Sequence, residues 1–362
     1  MPQSIGLLTQ VRDASYRSQS SPILILFACT VWQVGLAYYS LRQYDDAEAS
    51  FGLVRSMDPF RLLSMDTYSN ILYVKEKQAE LSALAHSVVE VEKFCPETCC
   101  VVGNYYSLKG RHERAVQYFQ RALRLNGQYL SAWTLMGHEY MELRNTSAAI
   151  QCYRNAVQIS EVQYVVCVVS CQLEVEPLFL NLSSSLPFLT TTQIDYRAWY
   201  GLGQTYEMLH LYQYANHYYR KAAHLRPDDA RMWSAVGNCL LKLSPSNRSH
   251  KGSRLRSEAI RSFERAVGCG DKEGIATRDL ARLCRDEGDA LKAAEHFYSF
   301  VHLRNTFQCT TAEGGSFLNP TIDLFNSDSG PIDADQAEAV LFMIYFYKGR
   351  GLLHLVEAFC NR

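Results

Sequence analysis

Glycine residues recur along this chain at a fixed spacing, and that spacing constrains the fold more than any other feature. Gly103 and Gly137 are 34 residues apart, and Gly203 and Gly237 are again 34 residues apart. A period of about 20 to 50 residues is typical of arrays in which each copy is one small structural unit. A single unit cannot bury its own apolar face, but stacked neighbours can. The chain is therefore predicted to form an array of equivalent units.

The residues around each glycine follow one order. With the glycine as position 8, the most complete copy contains, at positions 4, 7, 8, 11, 20, 24, 27 and 32, the residues Trp199, Leu202, Gly203, Tyr206, Ala215, Tyr219, Ala222 and Pro227. These residue types at these positions are the signature of a 34-residue helix–turn–helix repeat. Copies that start at residues 28, 96 and 130 share most of the pattern. The chain thus resembles the tetratricopeptide-repeat (TPR) family, which implies an all-α fold, a right-handed superhelical solenoid.

Small residues at positions 8 and 20 are expected where the two helices of one copy cross, because larger side chains would hold the backbones apart. Large residues, such as tryptophan at position 4, are expected to fill the space beside that crossing. The residues predicted to carry this repeat packing are Gly35, Ala47, Gly103, Ala115, Trp133, Gly137, Ala149, Trp199, Gly203, Ala215, Trp233 and Gly237.

The pattern divides the chain into segments. They are a non-repeat segment at 1–30, TPR copies at 31–160, an aberrant insertion at 161–192, TPR copies at 193–305, a linker at 306–335 and a truncated TPR-like hairpin at 336–362. The insertion is rich in β-branched residues and serine and lacks helical periodicity. It is interpreted either as a specialised binding loop or as a segment foreign to the protein, such as a retained intron. The polar stretch 244–254 is predicted to loop out between two helices.

Composition, charge and residue spacing exclude several classes of function. Lys plus Arg is 36 and Asp plus Glu is 37, so the charge gives no reason to expect nucleic acid or an anionic membrane as the main partner. The twelve cysteines lack paired C-x-x-C spacing, so neither a metal nor a cofactor is predicted. The apolar run ILILFA at 23–28 is too short to span a bilayer. His138 and His217 are interpreted as helix-surface residues, and no catalytic set stands in a recognisable context. The chain is therefore predicted to be no enzyme.

Three segments carry a closer resemblance: PETCCVVGNYYSLKG at 96–110, AWTLMGHEYMELRNTSAAI at 132–150 and DYRAWYGLGQTYEML at 195–209. They resemble the family of eighth subunits of the anaphase-promoting complex, the cell-division-cycle TPR subunits. The resemblance implies a non-catalytic scaffold subunit of a multi-subunit ubiquitin ligase of the cell cycle and mitosis, acting in the nucleus and cytoplasm. The implied partners are other subunits of the complex and a coactivator with an arginine-containing motif. The family's dimerising repeats lie in an N-terminal region that is largely missing or replaced here, which puts a homodimer in doubt.

Inward-facing positions 2, 5, 9, 12 and 13 of the first helix of each copy are expected to be free of packing and to line a peptide groove. The groove residues predicted in this way are Asn104, His138, Glu142, Arg197, Tyr200, Gln204, Glu207 and Asn238. Carboxylates and a tyrosine ring suit an arginine side chain, although Glu142 and Glu207 could also be plain solvated residues. The alternative is a co-chaperone or transport adaptor that captures a peptide C-terminus, which requires Lys and Arg at inward positions.

Overall fold

Every element in the described part of the chain is helical. The computed structural model describes residues 22–172, 195–244, 250–271, 273–306 and 333–351. The chain forms two compact units, Met1–Ala198 and Trp199–Arg362. The helices of the first unit are α1 Pro22–Ser40, α2 Tyr44–Met57, α3 Met65–Val74, α4 Gln78–Val91, α5 Pro96–Leu108, α6 His112–Leu125, α7 Leu130–Glu142 and α8 Thr146–Gln172. Helix α9, Tyr196–Met208, begins at the end of the first unit, and the second unit continues with α10 Tyr212–Leu225, α11 Ala230–Leu243, α12 His250–Gly268, α13 Ile275–Glu287, α14 Ala290–Thr306 and α15 Ala334–Gly349.

The helices pair as antiparallel hairpins because each has one apolar face. In α6, for example, Ala115, Phe119 and Ala122 recur at helical spacing and are fully buried. Pro96 opens α5 at a position where a missing backbone N–H does no harm. The predicted all-α TPR architecture is confirmed in each unit, where helices pack on their hairpin partners and on the neighbouring hairpin.

The repeated glycines make room for an aromatic ring rather than for a backbone crossing alone. A Cβ built on Gly103 would lie 2.4 Å from the Phe119 ring, and one on Gly137 would lie 2.6 Å from the Tyr153 ring. A Cβ built on Gly203 would likewise lie 2.5 Å from the Tyr219 ring. The first copy is looser, since a Cβ on Gly35 would lie 3.2 Å from Ser50 Cβ and 3.3 Å from the Phe51 ring. The four position-20 alanines are fully buried: Ala47, Ala115, Ala149 and Ala215.

Two of the position-4 tryptophans, Trp133 and Trp233, bind their helix to the turn that precedes it. Trp133 Nε1 donates to the carbonyl of Gly127 at 2.9 Å, and Trp233 Nε1 donates to that of Pro227 at 2.8 Å. In both cases the acceptor lies six residues earlier. Trp199 at the same position differs, because its Nε1 is buried without a hydrogen-bond partner in the described part of the chain, so tryptophan there supplies apolar surface in every copy and a hydrogen bond in two of them.

Three helices extend into segments where the sequence pattern predicted no repeat helix. Helix α8 continues through residue 172, so the first part of the supposed insertion is helical, and residues 173–194 lie outside the described part. Helix α1 begins at Pro22, within the segment expected to be non-repeat, and Ala28 is buried. Helix α12 begins at His250, so the predicted loop is shorter at its far end. β-Branched and charged residues disfavour a helix by only a few tenths of a kcal/mol, which neighbouring structure overrides.

Candidate peptide-binding face

Neighbouring first helices of the first unit are joined by hydrogen bonds between their inward residues. Asn104 of α5 is buried, and its Nδ2 donates to Ser69 Oγ and to Asn70 Oδ1 of α3, both at 2.7 Å. The prediction that Asn104 is free of packing is therefore wrong. An amide taken out of water needs partners, and the adjacent helix supplies them.

A buried carboxylate forms the next link, and sequence reasoning missed it. Glu139 of α7 is buried; its Oε1 accepts from Ser107 Oγ at 2.7 Å, and its Oε2 lies 2.8 Å from His112 Nδ1. Burial raises the pKa of Glu139, although Ser107 and His112 oppose that change. Glu139 stands outside the signature positions, so its role lies in joining hairpins.

His138 is a half-buried residue rather than the surface residue expected from sequence. Its Nδ1 lies 2.8 Å from the hydroxyl of Tyr153, and the two rings meet edge to face at 5.4 Å between centroids. Burial lowers the pKa of His138 to about 4, with the Arg197 charge acting in the same direction. His138 is therefore neutral at pH 7, and it holds the ring that Gly137 admits. His217 is exposed, as predicted.

Arg197 also has a structural role within the first unit. Asp195 is buried and accepts from Arg197 Nε at 3.1 Å and from Thr134 Oγ1 at 2.8 Å. Burial acts to raise the pKa of Asp195, but Arg197 and Thr134 outweigh it and the pKa is lowered. Arg197 Nη1 donates to Tyr39 Oη at 2.8 Å. Glu142, at the end of α7, is the exposed residue among the four predicted groove residues of the first unit.

In the second unit, the predicted groove acid Glu207 lies among tyrosines and a lysine. Its Oε2 accepts from Tyr219 Oη at 2.7 Å, and its Oε1 pairs with Lys242 Nζ of α11 at 2.6 Å. Lys242 Nζ also lies 5.3 Å from the centroid of the Tyr212 ring. The hydrogen bond to Glu207 raises the pKa of Lys242. The Tyr200 ring lies 5.2 Å from the Tyr219 ring, which places an aromatic wall beside the carboxylate.

The remaining two groove residues are consistent with a partly accessible face. Gln204 of α9 and Asn238 of α11 are half-buried at inward positions of neighbouring first helices. The contacts of Glu207 bring Tyr200 and Glu207 together with the signature residue Tyr219 and with Lys242, which sequence reasoning missed.

A second charged cluster, which we term the arginine clasp, joins α13 to α15. It consists of Arg278, Arg282 and Arg285 of α13 with Asp335 and Glu338 of α15. Arg282 Nη2 lies 2.9 Å from Asp335 Oδ1, and Arg285 Nη1 lies 2.6 Å from Glu338 Oε1. Helix α13 thus has the basic side chains that the adaptor alternative requires, but all three arginines are already paired with carboxylates.

Within the described residues, no three His, Cys, Asp or Glu side chains converge as metal ligands would. A search of the same residues finds no helix with the length and apolarity needed to cross a membrane. The arrangement defines faces of paired polar and aromatic side chains suited to binding a protein segment.

Comparison with known families agrees with the repeat pattern. A tetratricopeptide-repeat profile matches residues 96–129 and 130–163, the hairpin of α5 and α6 and the one that follows it. Residues 96–163 thus contain two tetratricopeptide repeats, the class of helix–turn–helix repeat that the hairpins of the structure define.

Named relatives are more specific. Anaphase-promoting complex subunit 8 of Dictyostelium discoideum is 56% identical over 117 residues, 32% of this chain and 20% of that protein. Subunit 8 of Arabidopsis thaliana is 59% identical over 116 residues, 32% of this chain and 20% of that protein. Anaphase-promoting complex subunit CDC23 of Saccharomyces cerevisiae is 48% identical over 114 residues, 32% of this chain and 18% of that protein. The matched stretch spans about a fifth of the length of each relative.

Proposed function

We propose that the chain acts as a non-catalytic TPR scaffold subunit of the anaphase-promoting complex, a ubiquitin ligase of the cell cycle. The observation that supports this most is the 48–59% identity to subunits of that complex from three distant organisms. All TPR proteins share the packing residues of the signature. An identity of 48–59% therefore also includes residues outside the signature. The subunit would support assembly in the nucleus and cytoplasm, and other subunits would carry out the chemistry.

The same subunit would dock the coactivator through its arginine-containing motif. Two predicted acids support this part of the proposal: Glu142, which is exposed, and Glu207, which stands beside the Tyr200 and Tyr219 rings. A guanidinium group pairs with carboxylates and stacks on aromatic faces. The cluster around Glu207 offers both kinds of contact and is the better candidate.

The alternative, an adaptor that captures a peptide C-terminus, would use the arginines of α13. Their carboxylate partners Asp335 and Glu338 already occupy the guanidinium groups. A C-terminal carboxylate would have to displace α15 before it could bind. This contact pattern makes the adaptor function the weaker of the two.

Affinity purification of the tagged chain followed by mass spectrometry tests the proposal. We expect other subunits of the anaphase-promoting complex among the enriched proteins. A matched control is the Gly103→Leu variant, whose added side chain cannot fit against Phe119 and which should lose these partners through misfolding. Recovery of chaperones without any ligase subunit by the folded wild-type chain would favour the adaptor function instead.

A further inference from the structure

The carboxylate of Glu207 is held by a cation from its own chain. Lys242 Nζ lies 2.6 Å from Glu207 Oε1 and 5.3 Å from the centroid of the Tyr212 ring. Glu207 Oε2 accepts from the Tyr219 hydroxyl at 2.7 Å. An acid and an aromatic face around one ammonium group are the elements of a cation-binding site, here filled internally.

We propose that Lys242 is an internal competitor that sets the affinity of the groove: it occupies the Glu207 site in the unbound chain and must be displaced by an arginine side chain of the incoming peptide. This inference rests on the proposed coactivator-docking function and adds to it the residue that limits the affinity of the site. The side chains of Lys242 and Glu207 are 47% and 27% exposed, so the pair lies where solvent and a ligand can reach it.

The carboxylate of Glu207 and the neighbouring tyrosine rings favour a guanidinium over an ammonium group. A ligand lysine would replace one ammonium with another, pairing with the same oxygen and gaining little. A ligand arginine presents a planar group with five donors, which can hold the carboxylate and stack on a tyrosine ring. Tyr212 lies beside the present position of the cation, and the Tyr200 ring lies against Tyr219. The internal lysine therefore weakens the binding of either peptide by the same displacement cost, and the additional guanidinium contacts allow an arginine peptide to overcome that cost more readily than a lysine peptide.

Displacing the ammonium group of Lys242 from Glu207 costs little free energy. Lys242 is at the end of α11 and is nearly half exposed, so its charge returns to water on rotation of the side chain. Ion pairs of this exposure contribute modestly to stability. The pair is thus weak enough to open and strong enough to compete with a ligand.

The test measures peptide affinity with the full chain by fluorescence anisotropy. The probe is a labelled peptide of the coactivator's arginine-containing segment, and a second probe has that arginine changed to lysine. Lys242→Met keeps the aliphatic stem and removes the competing charge. We expect it to tighten binding of the arginine peptide about fivefold, the upper range for an ion pair of this exposure. It should tighten the lysine peptide by about the same factor, because both peptides must displace Lys242, so the preference for arginine should stay unchanged. Lys221→Met, at an exposed position of α10, is the matched control and should change neither affinity.

Two further variants separate the possible failures. Glu207→Gln should weaken the arginine peptide at least tenfold, because it removes a charged hydrogen bond. If Glu207→Gln has no effect, the docking function at this site is wrong. If Glu207→Gln weakens binding but Lys242→Met leaves both affinities unchanged, only the role of Lys242 is overturned. If neither the wild-type chain nor Lys242→Met binds the peptide, both are overturned, whereas binding by Lys242→Met alone would support both. Should circular dichroism show Lys242→Met to be unfolded, Lys242→Gln provides the same test with a polar neutral side chain.

Discussion

The contact between Gly103 and Phe119 leads to a prediction whose size can be worked from the structure. A Cβ added by Gly103→Ala would lie 2.4 Å from Cε1 and 2.7 Å from Cζ of a fully buried ring. Inserting a methyl group into a filled core costs about 1–3 kcal/mol. Alanine is favoured over glycine inside a helix by about 1 kcal/mol. The net loss in unfolding free energy should therefore be about 0–2 kcal/mol.

Gly52 provides a matched control for the helix-propensity contribution. It lies inside α2 and is exposed, and a Cβ there would meet nothing within 4 Å. Gly52→Ala should stabilise the chain by up to about 1 kcal/mol. The difference between the two variants isolates the ring contact and should be about 1–3 kcal/mol.

Urea unfolding followed by circular dichroism measures both variants under one condition. Combining Gly103→Ala with Phe119→Leu should recover part of the loss specific to Gly103, relative to Phe119→Leu alone, because the smaller side chain leaves room for the methyl group. If Gly103→Ala stabilises the chain as much as Gly52→Ala, the ring does not require glycine at position 8, and the packing account of the repeat is refuted.

Three further predictions use other features of the chain. Arg144 in the turn after α7 has a φ of 55°, and Gly110 in the turn after α5 has a φ of 69°. Because only glycine adopts this conformation without strain, Arg144→Gly should raise the unfolding free energy and Gly110→Ala should lower it, each by about 0.5–1 kcal/mol in urea titrations. Effects of the same sign in both variants would contradict this prediction. Arg282→Ala removes the central guanidinium of the arginine clasp and should lower the unfolding free energy by about 1 kcal/mol at low salt and by less in 1 M NaCl. A loss that does not depend on salt would show that Arg282 acts through packing alone. The pKa of His138 is lowered to about 4 from an ordinary value near 6.5, so its contribution to the unfolding free energy is fully present above pH 6.5 and is lost as the pH falls toward 4, by up to about 1.4 kcal/mol per pH unit. His138→Gln should flatten this part of the stability–pH curve. An unchanged slope would exclude His138 as its source.

The sequence predicts the hairpin framework well because steric limits determine its signature positions. The ring at position 24 packs directly against the glycine at position 8 in the copies of Gly103, Gly137 and Gly203, and the alanines at position 20 are buried for the same reason of space. These constraints are local to one hairpin, so they leave a period that can be read without a structure. Helix ends are less constrained. The extension of α8 past residue 160 follows β-branched residues that disfavour a helix only weakly, so composition alone suggested a foreign segment.

The inward residues were harder to predict because their partners lie on another hairpin, yet the sequence does carry a signal for some of them. Asn104 bonds to residues 35 and 34 positions earlier, and Lys242 reaches Glu207 across 35 positions. A polar inward residue should therefore be read together with the residue one repeat away, and this rule would have paired Glu207 with Lys242 in advance. The rule fails where the spacing is broken. Thr134 bonds to Asp195 across 61 residues, a separation that no single or double period predicts. Accessible groove residues are thus predictable within regular stretches of the array, and only a structure assigns them next to an interruption.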